Sequence, residues 1–241
     1  DVCSSDLCRI KSMIEALKQQ VKHTPVTMGL FTVTTVVFIF EFIASHGQTD
    51  NARFLVAVGA KWGPDIAHNQ AYWRLLTPVF LHAGIMHIVT NMLTLWFVGP
   101  IAERAFGSWR FLMLYAFGGI VGNIFSYLLS PLAISVGASS ALFAMFAGLI
   151  LYGVRYRDNP TIRAQGATFL LFVVLNLFSG LLAPTIDLWG HIGGLIGGMM
   201  STVMLGFVGK SGQYALSMRL TMCAVTLLLL ILTIYAGGSV S

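Results

Sequence analysis

Seven stretches of this sequence, at roughly residues 26–45, 82–99, 109–130, 139–154, 166–183, 188–208 and 219–237, are almost free of charge and are separated by charged or Gly/Pro-marked breaks. A helix that crosses a bilayer needs about 20 apolar residues, with a range of about 17–25, and all seven stretches qualify within boundary error. Uninterrupted apolar runs of this length leave backbone N–H and C=O groups no partners except within a helix. Composition agrees: of 241 residues 56% are hydrophobic and only 10% charged, whereas a soluble domain carries about 25% charged residues. The expectation is an all-α, polytopic membrane helical bundle without internal repeats. The net charge of +5 is not gathered on a soluble face, so no nucleic acid partner is expected. Cys3, Cys8 and Cys223 make no disulfide framework.

The ends read differently from the spans. The opening DVCSSDL can be written back as GAC GTG TGC TCT TCC GAT CT, which resembles the end of a common sequencing adapter, so residues 1–7 read as an assembly artefact or else as a genuine but unstructured start. No short apolar core with a small-residue cleavage site precedes the first long apolar segment, and no cleavable signal peptide is expected. Residues 8–25 form a cytoplasmic segment. In it Ile10, Met13, Ile14, Leu17 and Val21 recur at helical spacing, and Lys11, Lys18 and Lys22 occupy another face. That pattern suits either a basic amphipathic helix on an anionic leaflet or a plain cytoplasmic stub.

Basic residues set the orientation. Arg9, Lys11, Lys18, Lys22, Arg104, Arg110, Arg155, Arg157, Arg163, Lys210 and Arg219 all fall on one side of a seven-span arrangement. Arg53, Lys61 and Arg74, the remaining three of fourteen, fall on the other. The positive-inside rule then places the N-terminus in the cytoplasm and the C-terminus outside.

Polar residues within spans are expensive and mark function. The second span holds His82, His87 and Asn91, the last two four residues apart and so on one helix face. The fourth opens with Ser139 and Ser140 and the sixth with His191. Spans two, four and six all enter from the outer side, so these groups share one depth. A Ser with a His as general base can run nucleophilic acyl transfer, and Asn with a second His can donate to an oxyanion. Each residue also has a plainer reading. A Ser at a helix end caps or packs, a lone His fills an interior or binds metal, and Asn91 ties helices together. His82 and His87 are five apart, unlike the HExxH zinc pattern, and no carboxylate or Cys completes a ligand set. Asp187, four before His191, reads as a loop carboxylate in water or as an orienter of His191. Gly190, Gly194 and Gly198 recur every four residues, facing Ala144 and Gly148, and allow close helix approach.

In this order the residues resemble the rhomboid family of intramembrane serine proteases. Gly137-Ala138-Ser139 is similar to the family's Gly-x-Ser nucleophile motif, and His87 to Asn91 to its His-x-x-x-Asn oxyanion motif, with His82 as the preceding family histidine. His191, Gly194 and Gly198 match its His-x-x-Gly-x-x-x-Gly motif, Trp73-Arg74 its first-loop pair, Phe143 the aromatic packed under the catalytic imidazole, and Glu103 the acidic residue after the second helix. The likeness covers about residues 70–208. Where the family carries Gly after the nucleophile, this chain has Ser140; spacing from Gly137 and Phe143 favours Ser139 as the attacking group.

The resemblance implies a six-helix core over 26–208, with 209–241 supplying a linker and a seventh C-terminal transmembrane helix. It implies catalysis by Ser139 and His191, oxyanion donors His87 and Asn91, and supporting roles for His82, Gly137, Phe143, Gly194, Gly198, Trp73, Arg74 and Glu103. No metal or cofactor is implied. Single-span or polytopic membrane proteins would be the substrates, met within the lipid bilayer of a bacterial plasma membrane at a site open to the outer side. The alternative of a different class is a catalytically inactive rhomboid-like protein that binds membrane proteins.

Overall fold

The structure, a computed structural model, describes residues 23–183 and 186–236. The suspected artefact and most of the amphipathic segment therefore lie outside the described residues. Helix α1 spans Pro25–Ala44. The loop after it contains two short helices, α2 (Ala52–Val58) and α3 (Gly63–His68), and two 3-10 turns, Tyr72–Leu75 and Thr77–Phe80. Then follow α4 (Ile85–Phe106), α5 (Ser108–Leu129), α6 (Ser139–Arg155), α7 (Pro160–Leu182), α8 (Leu188–Leu205) and, after a 3-10 turn at Lys210–Gly212, α9 (Leu216–Ala236). Among the described residues the only strand-like pairing is one antiparallel bridge between Lys61 and Ser135. Among the described residues six helices, α1, α4, α5, α7, α8 and α9, are long and apolar enough to cross a membrane.

Several boundaries move from those expected, each for a local reason. Helix α4 does not stop at residue 99 but continues through Pro100 to Phe106. Glu103 is thus inside this helix rather than after it, where it meets donors from two neighbouring helices. Helix α7 begins at Pro160, not 166, because Asn159 caps it by accepting from the Thr161 and Ile162 N–H groups, with Pro at the first helical position. Helix α8 stops at Leu205, where Gly206 takes φ +67°.

Helix α6 sits at the centre, packed against α4, α5, α7 and α8. An unbroken run from Ser140 to Leu149 is buried. At 17 residues and 1.5 Å per residue it is about 26 Å long, against a hydrocarbon core of about 30 Å. Its buried run meets neighbouring helices rather than lipid, so its length need not match the full hydrocarbon thickness. The α6–α8 contact is close enough to exclude side chains: a Cβ on Gly194 would lie 2.2 Å from the Ser140 carbonyl oxygen, and one on Gly198 2.4 Å from that of Ala144. Helix α9 packs mainly on α8 and leaves most of its surface exposed.

Candidate active site

Ser139 is the first residue of α6, and Ala138 before it provides no side-chain cap. The turn that delivers it is pinned on both sides. Gly137 takes φ +114° and its N–H donates to the Pro78 carbonyl at 2.8 Å. A Cβ there would also fall 2.5 Å from His87 Nε2 and 3.3 Å from Asn91 Nδ2. Glycine at 137 therefore meets two demands at once, a left-handed backbone and the close seating of His87 and Asn91 beside the turn.

His82 organises this side of the site. Its ring contacts the Phe80 carbonyl through Nδ1 at 3.3 Å and Asn91 Nδ2 through Nε2 at 3.0 Å. These contacts assign the proton to Nδ1, so that Nε2 accepts from the Asn91 amide. The same Nε2 lies 3.5 Å from the Ala138 N–H, and the His82 and His87 rings meet edge to face at 5.1 Å. The His82 backbone N–H donates to the buried Glu41 carboxylate of α1 at 3.2 Å. One fully buried histidine thus joins α1 through its backbone N–H, and the Asn91 amide and the turn before Ser139 through its ring.

On the opposite wall, His191 lies in the first turn of α8. Its ring stacks on Phe143 at 4.2 Å between centroids and 14° between planes. Its Nδ1 is buried with no hydrogen-bond partner among the described residues. Asp187 is not the orienter of this ring, nor is it a carboxylate free in water. It is half-buried and caps α8 by accepting from the Gly190 N–H at 2.9 Å, and it also accepts from the Ser135 hydroxyl. The imidazole is held by stacking and by its helix rather than by a carboxylate.

Ser139, His191, His87, Asn91 and Phe143 all line one cavity of about 740 Å³, with Phe146 of α6, Phe172 and Asn176 of α7, and Asp187 also on its walls. Ser140 is not among its lining residues. It is 5% exposed and turns into the α5–α8 seam, where a Cβ on Gly122 would meet its own at 2.5 Å.

The remaining expected residues lie away from the cavity. Arg74 donates through Nη1 to the Val56 carbonyl at 2.7 Å and the Ala60 carbonyl at 3.0 Å, pairs through Nη2 with Asp65 at 2.7 Å, and stacks on Trp73 at 4.6 Å. Glu103 accepts from the Val26 and Thr27 N–H groups, the Thr27 hydroxyl and the Ser108 hydroxyl, at 2.6–3.0 Å. It binds the start of α1 to the start of α5. Lys61, expected in the first outer loop, is fully buried. Its ammonium donates to the carbonyls of Ser126, Ser130 and Ala133 at 3.4, 2.9 and 2.6 Å, at the C-terminal end of α5 where a cation is favoured. Glu41 and Ser135 have no counterpart among the residues expected from the sequence, and Lys61 has one only as a charge of the first outer loop. The only signal available for them was a charged or hydroxyl residue next to an apolar run.

Six long apolar helices around a cavity bordered by a serine at a helix start, two imidazoles and an amide define a class: helical membrane proteins with polar side chains gathered at one site among their helices. Comparison with known proteins is specific. A family model described as the rhomboid domain matches residues 69–208. The chain is 39% identical over 188 residues to rhomboid protease GluP of Bacillus subtilis, covering 78% of this chain and 36% of that protein. It is 35% identical over 182 residues to the putative rhomboid protease YdcA of the same organism, covering 73% of this chain and 86% of that one. RHOMBOID-like protein 2 of Arabidopsis thaliana is 39% identical over 158 residues, 64% of this chain and 47% of that protein. The chain thus spans about a third of GluP but most of YdcA. It belongs to the rhomboid family and is an integral membrane protein.

Proposed function

We propose that this protein is an intramembrane serine endopeptidase that cleaves transmembrane segments of membrane proteins with a Ser139–His191 dyad. The observation that carries the reading is the shared cavity: Ser139, His191, His87 and Asn91 all border it, and the ring of Phe143 lies under the imidazole. A substrate helix unwinds locally and offers an extended peptide. Ser139 Oγ attacks the scissile carbonyl carbon as His191 takes the hydroxyl proton, and His191 then returns that proton to the leaving amine. The oxyanion accepts from Asn91, His87 and the Ser139 N–H. That N–H has no intrahelical partner because it lies in the first turn of α6, where the helix dipole also favours negative charge. Water hydrolyses the acyl-enzyme.

Topology forms part of the proposal. Helix α6, although short, and α9 both cross the bilayer, giving seven spans with the N-terminus in the cytoplasm of a bacterium and the cavity open to the outer side. Burial of Lys61 and Arg74 supports this orientation, because both side chains are spent on partners within the protein. That leaves Arg53 as the one exposed basic residue among the described residues of the first loop, which sharpens the charge asymmetry.

The test is incubation of the detergent-purified chain with a panel of single-span membrane substrates. Cleavage by the wild type and none by Ser139→Ala is the expected result. Binding of the panel without cleavage by either would replace this reading with that of an inactive binder.

A further inference from the structure

The two residues of the proposed dyad stand on different helices, α6 and α8, and no carboxylate orients His191. Close contact at Gly194 and Gly198 holds the two helices together, and one side-chain bridge links the segments that lead into them. Ser135 lies four residues before Ser139, in the segment linking α5 to α6, and its hydroxyl donates to Asp187, four residues before His191. Asp187 divides its two oxygens, Oδ1 accepting from the Gly190 N–H at the start of α8 and Oδ2 from Ser135.

Ser135 is itself immobilised. Its backbone exchanges two hydrogen bonds with Lys61, at 2.9 and 3.1 Å, and the Lys61 ammonium is fastened to the end of α5. Ser135 is 7% exposed and, like Asp187, borders the same cavity as Ser139 and His191. A rigid chain of contacts therefore runs from α5 through Lys61 and Ser135 to the capping carboxylate of the helix that carries His191.

We infer that Ser135 and Asp187 are positioning residues that set the separation and alignment of Ser139 and His191. This rests on the protease reading. Neither residue transfers a proton in the reaction, and Asp187 acts through the helix it caps. Ser135→Ala removes the bridge and leaves the Asp187–Gly190 cap and every backbone contact in place. Misplacing reacting groups by about 1 Å costs about 10²-fold, so a loosened bridge should lower kcat by about 10- to 100-fold while KM stays within about twofold.

The experiment measures kcat and KM on a single-span substrate, together with melting temperature, for the full chain and its Ser135→Ala, Ser135→Thr and Asp187→Ala variants. Ser135→Ala should lose turnover at an unchanged melting temperature. Ser135→Thr, which keeps the hydroxyl, should recover most of it. Asp187→Ala, which loses bridge and cap together, should lose both turnover and melting temperature. A Ser135→Ala variant with wild-type kcat, or one whose loss of rate is matched by a fall in melting temperature, overturns the inference. A wild type that cleaves nothing sinks the protease reading instead.

Discussion

Asn91 shows how the proposed chemistry depends on a single amide held by its neighbours. Its Nδ2 rests on His82 while the cavity opens beside it. Removing one oxyanion donor costs about 10²–10³-fold in kcat; Asn91→Ala should fall in that range and remain folded, since His87 and the Ser139 N–H still serve. Full turnover by that variant would take Asn91 out of the oxyanion site. His82→Phe should lower kcat through the same amide, so a double-mutant cycle of His82 with Asn91 should be strongly non-additive. Lys61 gives a pH signature of its own. Burial pushes its ammonium down to about 8, against an opposing pull from Asp187. The unfolded amine titrates near 10.5, so between pH 8 and 10.5 the unfolded chain holds a proton that the folded one has released, and stability rises with pH across that window. Thermal melts of the wild type should gain on those of Lys61→Met from pH 8 to 10.5; a gap that stays constant or closes would show that the amine is not held there.

At the scale of elements, the α6–α8 seam and the first loop carry different loads. Gly194→Ala would drive a methyl into the Ser140 backbone, which cannot swing aside, so α6 and α8 must part. That variant should lose both thermal stability and cleavage, whereas Gly29→Ala, where a Cβ meets nothing within 4 Å, should match the wild type. In the first loop, Arg74→Ala leaves Asp65 and two carbonyls without their cation. Arg74 is buried but Asp65 only half-buried, so a loss below the about 3–5 kcal/mol of a fully buried pair, seen as a drop in melting temperature and activity together, is expected; an unchanged melting temperature would mean the loop is not held by this residue. The long helices were legible in the sequence because a bilayer forces uninterrupted apolar runs, and Ser139, His191, His87 and Asn91 because they are polar where polarity is costly. Asp187, Ser135, Lys61 and Glu41 were not, because their partners lie far along the chain or depend on how loops fold over helix ends. Local cues for the start of α7 stood in Asn159-Pro160, yet nothing local announced that α4 runs on through Pro100, since Glu103 finds its donors only when α1 and α5 pack against it.

On the scale of the whole molecule, the bundle surrounds one short central helix, and the space above that helix is where serine, imidazole and amide meet. Cleavage by the proposed dyad requires that space to be reached from the outer side and the serine to depend on the imidazole across the α6–α8 seam. A fluorophosphonate that cannot cross membranes, applied to intact spheroplasts and followed by mass spectrometry of the labelled peptide, tests both requirements together. The predicted result is an adduct on Ser139 in the wild type and none in a His191→Ala variant of equal melting temperature. An adduct on Ser140, labelling that persists without His191, or labelling only after the inner side is opened would contradict the account.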